Sequence, residues 1–224
     1  MEQIASDTVM AEAYDWLCQA RIDYSSNADI WDLRRNWSFI QPQLQRQLLA
    51  TEFRFSPQTQ HRFADGTKVV WAAIDSLVLK CIAIVLTPFL TPFLSKRCFN
   101  IKGNGGLKAA VRETQQALSE HDHVYRSDIF SYYASIQHEI LLRELQALIP
   151  DARVVSLIAS SLVRVETYGG EYYDINCGIS MGSPLSPLLG AIALKPLDDA
   201  MEKLGVFYVR YVDDCAPRAQ AKAA

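Results

Sequence analysis

Hydrophobic and polar positions divide the chain into stretches of helical period and shorter runs of strand period. Residues 7–21 set Val9, Ala13, Trp16 and Leu17 on one face, with Asp7 or Ser6 as N-cap. Residues 29–49 read as a second helical region, broken near Pro42. Trp31, Leu33, Trp37, Phe39 and Ile40 supply its bulk and suit a core better than base stacking. Thr51-Glu52-Phe53-Arg54-Phe55 alternates polar and apolar, a strand pattern. His61 to Trp71 reads as a β-hairpin turning at Asp65-Gly66. Asp75 to Leu90 is a long apolar helix. The stretch Ser76 to Leu94 has the look of a membrane span, but it carries Lys80 and is broken by Pro88 and Pro92. A buried helix with a proline-rich exit is expected there.

Leu107–Leu118 is again helical. Val124 to Ile129 reads as a strand ending in Asp128, with an aromatic cluster at Phe130, Tyr132 and Tyr133 just beyond. An amphipathic helix is expected from Ser135 or Ile136 to Ile149, and another from Ala152 to Val165. Glu171–Ile175 is a strand candidate after the turn Gly169-Gly170. Gly178 to Pro187 holds two glycines and two prolines, which makes a stiff loop. It launches a helix from Leu188 to Leu204, with Ser186 as N-cap and Pro187 first in the helix. Val206-Phe207-Tyr208-Val209 is a strand leading into Tyr211-Val212-Asp213-Asp214. Cys215 to Ala224 is rich in alanine and has no strand pattern.

Composition allows one or two domains with a sizeable core, since 224 residues are 50% hydrophobic. Five cysteines without a Cys-x-x-Cys pair read as reduced and structural in a cytoplasmic protein. No charged-then-apolar leader opens the sequence. The formal net charge of −3 hides a strong pattern. Residues 1–53 carry 4 basic and 8 acidic side chains, residues 54–112 carry 9 and 2, and residues 113–224 carry 9 and 15. A basic block that can neutralise phosphates thus precedes an acidic one that can collect metal ions.

Adjacent carboxylates repel, so an Asp-Asp pair beside a buried strand usually has a cation nearby. Asp213 and Asp214 at a hairpin tip would suit Mg²⁺, a hard cation that takes carboxylate and phosphate oxygens. Asp is also common in surface turns, so the pair gains weight only from partners elsewhere. Arg62 and Lys68 flank the Asp65-Gly66 turn, either to grip a triphosphate or as solvated charges. In Phe99 to Lys108, glycines allow close backbone approach and Lys102 and Lys108 bracket them. This stretch contacts a phosphate backbone or simply precedes a helix, and it lacks the Gly-Lys-Ser/Thr of a Walker loop. His121-x-His123 has no third ligand near it and is expected to be surface rather than metal site.

Three features stand in a fixed order: a strand Asp with an aromatic five residues on, a Gly-x-x-x-Gly-x-x-x-Ser-Pro loop before a helix, and the Tyr-x-Asp-Asp hairpin. Together they resemble the palm of reverse transcriptases, especially bacterial ones of group II introns and retrons. Asp128 to His138 is similar to the family's first palm motif, Gly178 to Pro187 to the motif usually written Gln-Gly then Ser-Pro, and Tyr211 to Asp214 to the catalytic hairpin. Phe53 to Leu107 resembles the fingers more loosely. The resemblance implies an α+β fingers–palm fold, with an antiparallel palm sheet backed by helices and no thumb. Its parts would be an N-terminal helical extension at 1–50, fingers at 51–120, palm at 121–215 and an irregular tail at 216–224.

The implied activity is RNA-directed DNA synthesis on an RNA template and DNA primer from deoxynucleoside triphosphates, with two Mg²⁺ ions and no membrane. By resemblance Asp128 and Asp213 ligate both metals, Asp214 supports the site, and the backbones of Ile129 and Phe130 face the triphosphate. Tyr133 is the gate against a ribose 2′-hydroxyl. Met181 and Gly182 lie by the nucleotide, and Arg62 and Lys68 are the triphosphate cations. Tyr211, Ser183, Lys102 and Lys108 meet primer and template. Met181 stands where the family usually has Gln, which removes a polar contact. The chain ends ten residues after Asp214, so a truncated copy with weak or no activity is expected, or a partner chain supplying the thumb. Two other functions stay open from the sequence: a non-catalytic fragment that binds nucleic acid through residues 54–112, and an unrelated metal-binding structural protein.

Overall fold

The Ser6 side chain opens the first helix, α1 (Asp7–Ala20), by accepting the Val9 amide at 3.4 Å. In this computed structural model the described residues are 1–64, 66–118, 123–215 and 218–219, without the side chains of 123, 124, 218 and 219. Asp65, His121 and the His123 side chain lie outside the described residues, as do 216–217 and 220–224 of the expected tail.

The second helical region is broken, but at Asn36 rather than Pro42, giving α2 (Asp29–Arg35) and α3 (Trp37–Leu49). Asn36 turns its side-chain amide back onto the Asp32 carbonyl and carboxylate at 3.2 and 2.9 Å, which competes with helix continuation. Pro42 stays inside α3, where both it and Ser38 are exposed, so the carbonyl that Pro42 cannot serve is open to solvent. Phe39 was expected in the core but is 69% exposed, because it lies on the outer face of α3. Residues 51–55 form no strand. Phe53 is buried and Phe55 packs edge-on between Phe53 and Trp71, so aromatic contacts, not a ladder, produce the alternation.

The expected hairpin forms from β1 (Gln58–Phe63) and β2 (Gly66–Val70), paired from Thr59↔Val70 to Phe63↔Gly66. The apolar helix follows as α4 (Ala73–Leu90), ending in a 3₁₀ turn at Thr91–Phe93. It is long and apolar enough to cross a membrane, yet 61% of it is buried inside the fold. After α5 (Gly106–Ala117) comes the short strand β3 (His123–Val124). Tyr132–Ser135 is a separate turn of helix, α6, and the longer helix begins at His138 as α7 (His138–Leu148), because Ile136 and Gln137 are extended.

The next helix, α8 (Ala152–Leu162), stops short of the expected Val165 because Arg164–Tyr168 leaves it as an unanticipated strand, β4. β4 pairs antiparallel with β5 (Glu171–Ile175) across the Gly169-Gly170 turn. It also pairs in parallel with β1, Gln58↔Glu166 and Thr59↔Thr167, so the main sheet runs β2-β1-β4-β5 and is mostly antiparallel.

The helix expected from Leu188 to Leu204 is two helices, α9 (Ser186–Ala193) and α10 (Lys195–Leu204). Pro196 has no amide to carry a continuous helix through Leu194. Ser186 is inside α9 with Leu185 as its cap, one residue earlier than expected. Beyond α10, the ladder starts only at Arg210, with β6 (Arg210–Tyr211) and β7 (Asp214–Cys215). Arg218–Ala219, expected in an irregular tail, form β8 against β3.

One apolar core joins these elements. Met10, Leu17, Ile30 and Leu48 from the N-terminal helices share it with Leu77 and Ile82 of α4, Leu141 and Leu145 of α7, and Ile192 of α9. A smaller cluster of Phe99, Ala109, Ala110 and Val209 seats α5 against β6. The packing of these two cores carries the β6–β7 hairpin at their junction.

Candidate active site

The β6–β7 hairpin closes with only Val212 and Asp213 between its paired residues Tyr211 and Asp214. Val212 has φ +59°, a left-handed conformation that costs a β-branched residue about 1–3 kcal/mol. The surroundings hold it there from both sides. The Val212 amide donates to Asn100 Oδ1 at 3.2 Å, and the Arg210 guanidinium donates to the Val212 carbonyl at 2.8 Å. Arg210 is itself buried and forked onto buried Asp198 at 2.8 and 2.5 Å, while the Tyr208 hydroxyl donates to the same carboxylate at 2.9 Å. Asp213 is therefore presented by a turn whose shape is set from beneath.

Asp128 arrives from the neighbouring segment. Ser127 and Cys215 exchange both backbone hydrogen bonds, at 2.9 and 2.8 Å in an antiparallel bridge. The same register carried one residue on sets the Asp128 backbone opposite that of Asp214. The three acids are not equivalent. Arg126 donates from Nε and Nη2 to Oδ1 of Asp214 at 3.0 and 2.9 Å. Although the Asp213 carbonyl accepts from Cys215 Sγ at 3.6 Å, the Asp128 and Asp213 carboxylates have no hydrogen-bond or ion-pair partner among the described residues. Those residues contain no group of three or more His, Cys, Asp and Glu side chains placed to hold a metal. Two carboxylates without partners are a donor set that suits a hard divalent cation and leaves most of its coordination to other ligands.

Tyr133 faces this tip. Burial and then the Asp213 charge push its phenol above the ordinary range. Room for its ring comes from Gly190 in α9, where a Cβ would stand 2.9 Å from the Tyr133 ring. The neighbouring Tyr132 donates its hydroxyl to the Gly190 carbonyl, which ties α6 to α9. The Gly178 loop lies across the same segment. Gly178 donates to the Ile136 carbonyl at 2.8 Å and Ile179 to that of Tyr133 at 2.7 Å. At φ +80°, Gly178 has room for no side chain, since a Cβ would meet the Ala134 carbonyl oxygen at 2.7 Å.

The same loop also receives the β1–β2 hairpin. A Cβ on Gly182 would come within 2.9 Å of the Val69 carbonyl oxygen, and Gln58 Nε2 donates to Ser180 Oγ at 2.9 Å. Met181 and Phe130 stand out, 81% and 90% exposed, while Ile129 is half-buried. Ser183 is buried and its Oγ accepts the Leu185 amide, so its hydroxyl serves its own loop. Arg62 is stacked over the Tyr168 ring at 3.7 Å and Lys68 is exposed, and neither touches the acids. Tyr211 lines a cleft with the Phe99–Gly106 loop, including exposed Lys102, and Lys108 is exposed at the start of α5.

Asn100, Arg126, Asp198 and Arg210 escaped the sequence reading. Arg210 left one visible signal, a cation inside the otherwise apolar run from Val206 to Val212.

Residues 53–222 match the reverse transcriptase (RNA-dependent DNA polymerase) family. The chain is 28% identical over 163 residues to an uncharacterized 91 kDa protein in the cob intron of Schizosaccharomyces pombe, covering 70% of this chain and 20% of that protein. It superimposes on chains of a partial Cas6-RT-Cas1–Cas2 complex and of a Cas6-RT-Cas1–Cas2 complex, each with TM-score 0.62 and 24% identity over 98% of this chain. It spans 38% and 24% of those two chains, so these likenesses concern the fold alone. With the family match running across β1–β2, Asp128, the Gly178 loop and the β6–β7 hairpin, the chain belongs to the reverse transcriptase family.

Proposed function

We propose that this chain carries the nucleotidyl-transfer centre of an RNA-directed DNA polymerase from an intron-type retroelement, acting with two Mg²⁺ ions in the cytoplasm. The observation that carries the proposal is the pair of partner-free carboxylates on adjoining segments, Asp128 and Asp213, the second of which acts on Tyr133. The likeness to a protein of the cob intron favours the retroelement origin. Its cysteines are all free, which suits a reducing compartment.

Asp128, Asp213 and the Ile129 carbonyl would hold the ions, which supply Lewis-acid stabilisation of the attacking and leaving oxygens when bound. Arg126 neutralises Asp214 and so lowers the repulsion that two adjacent carboxylates would exert at the tip. Tyr133 is packed over Gly190 and cannot retreat, so its ring forms a fixed wall beside the sugar of an incoming deoxynucleotide. Gly182 lets the β1–β2 hairpin lie directly on the Gly178 loop, with Phe130 and Met181 exposed nearby to meet the base and triphosphate. Arg62 and Lys68 on the hairpin would approach the triphosphate, and Tyr211, Lys102 and Lys108 would follow the primer and template backbones.

The test is primer extension on an RNA template with Mg²⁺ and deoxynucleotides. Asp213→Asn should lower the rate on the order of 10²–10³-fold, the loss seen when a charge-stabilising group leaves an active site. Equal rates for wild type and Asp213→Asn would refute the proposal. If both are inactive yet bind duplex, the non-catalytic nucleic-acid-binding reading replaces it.

A further inference from the structure

We infer that Asn100, together with the buried Asp198–Arg210 pair, positions the Asp213 carboxylate for cation binding; the inference rests on the function proposed above. Asp213 follows a valine held at φ +59°, a conformation that persists only where neighbours impose it. The two backbone groups of that valine are each taken by a specific side chain, the amide by Asn100 and the carbonyl by Arg210. Neither side chain can drift. Cys98 Sγ donates to the same Asn100 oxygen at 3.1 Å, and Asn104 fixes the loop by donating to the Ser95 and Cys98 carbonyls at 3.2 and 2.8 Å. Arg210 is locked by Asp198 and reaches the Ala191 carbonyl at 3.4 Å. The Cys98–Arg210 backbone bridge joins the two supports into one frame under the turn. A carboxylate one residue beyond such a frame keeps its direction without any contact of its own, which leaves its oxygens free for a ligand.

The experiment uses the full chain and Mn²⁺, followed by the paramagnetic resonance of free ion. Asn100→Leu keeps the volume but removes the acceptor. It should weaken Mn²⁺ binding roughly tenfold and speed hydrogen exchange at the Val212 amide, with the melting temperature within about 4 °C of wild type. Asn100→Asp restores an acceptor and should restore slow exchange. Arg210→Lys keeps the charge facing Asp198, but one ammonium cannot also fork to the Val212 carbonyl, so Mn²⁺ binding should weaken again. Wild-type Mn²⁺ affinity in Asn100→Leu, with binding abolished in Asp213→Asn, would overturn the inference and leave the proposed function standing. Unchanged Mn²⁺ binding in Asp213→Asn would overturn both.

Discussion

Two hairpins of this molecule solve opposite problems. The β1–β2 hairpin is long, turns at a glycine, and is held at its root. There the Ser56 amide donates to buried Asp75 at 3.0 Å, Arg21 donates to the Trp71 carbonyl at 2.7 Å, and Asp29 accepts the Ala73 amide. Its far end, with Arg62, Phe63 and Lys68, is exposed. The β6–β7 hairpin has two residues in each strand and a strained valine in its turn, and it is held at that turn by buried charge. A root anchor leaves the tip to adapt to what it meets, whereas a tip anchor fixes a single atom in space. Placement comes from what lies under a turn and not from the length of the ladder leading to it.

Removing the tip anchor should have the largest effect. Asp198→Ala leaves a buried guanidinium without its carboxylate and should cost about 3–5 kcal/mol in urea unfolding. The root anchor should show itself through pH. Burial raises the Asp75 carboxyl to about 7, above its unfolded value of 3.8. Its stabilising contribution is therefore full below about pH 4 and lost as pH rises through 7. Wild type compared with Asp75→Asn should lose on the order of 3–4 kcal/mol between pH 4 and 8, measured by denaturant titration at each pH. A flat difference would show that Asp75 does not burden the root. Arg126→Ala breaks an exposed pair at the tip and should change stability by less than about 1 kcal/mol. Lys68→Ala, at the free end of the other hairpin, should stay within about 0.5 kcal/mol. A large loss from Lys68→Ala would erase the contrast between the two hairpins.

Local chemistry made one hairpin legible, and motif order made the other so. Asp65-Gly66 between alternating residues predicts its turn without tertiary knowledge. The candidate acids at 128, 213 and 214 stood out in the sequence because their order and flanking motifs resemble a known family. The anchors did not. Asp198 sits in a helix with an ordinary amphipathic pattern, and only the folded chain shows that Arg210 turns toward it. Asn100 looked like loop composition. The break expected near Pro42 falls at Asn36, and the one at Leu194 was not expected, because periodicity continues across both while a side-chain hydrogen bond and a proline interrupt the backbone; the extended Ile136–Gln137 pair delays the next helix to His138. β4 was hidden because Arg164 to Tyr168 follows an amphipathic helix directly, and its partner β1 lies far upstream.

That parallel pairing sets an order of events during synthesis. Gln58 meets Glu166 only after 108 further residues have been made. At about 5–20 residues per second, β1 waits on the order of 5–20 s with one edge unpaired. An open edge invites other strands, and lysine or arginine along it discourages them. Arg62, which lies on β1 itself, thus guards that edge of the nascent chain well before any nucleotide could reach it.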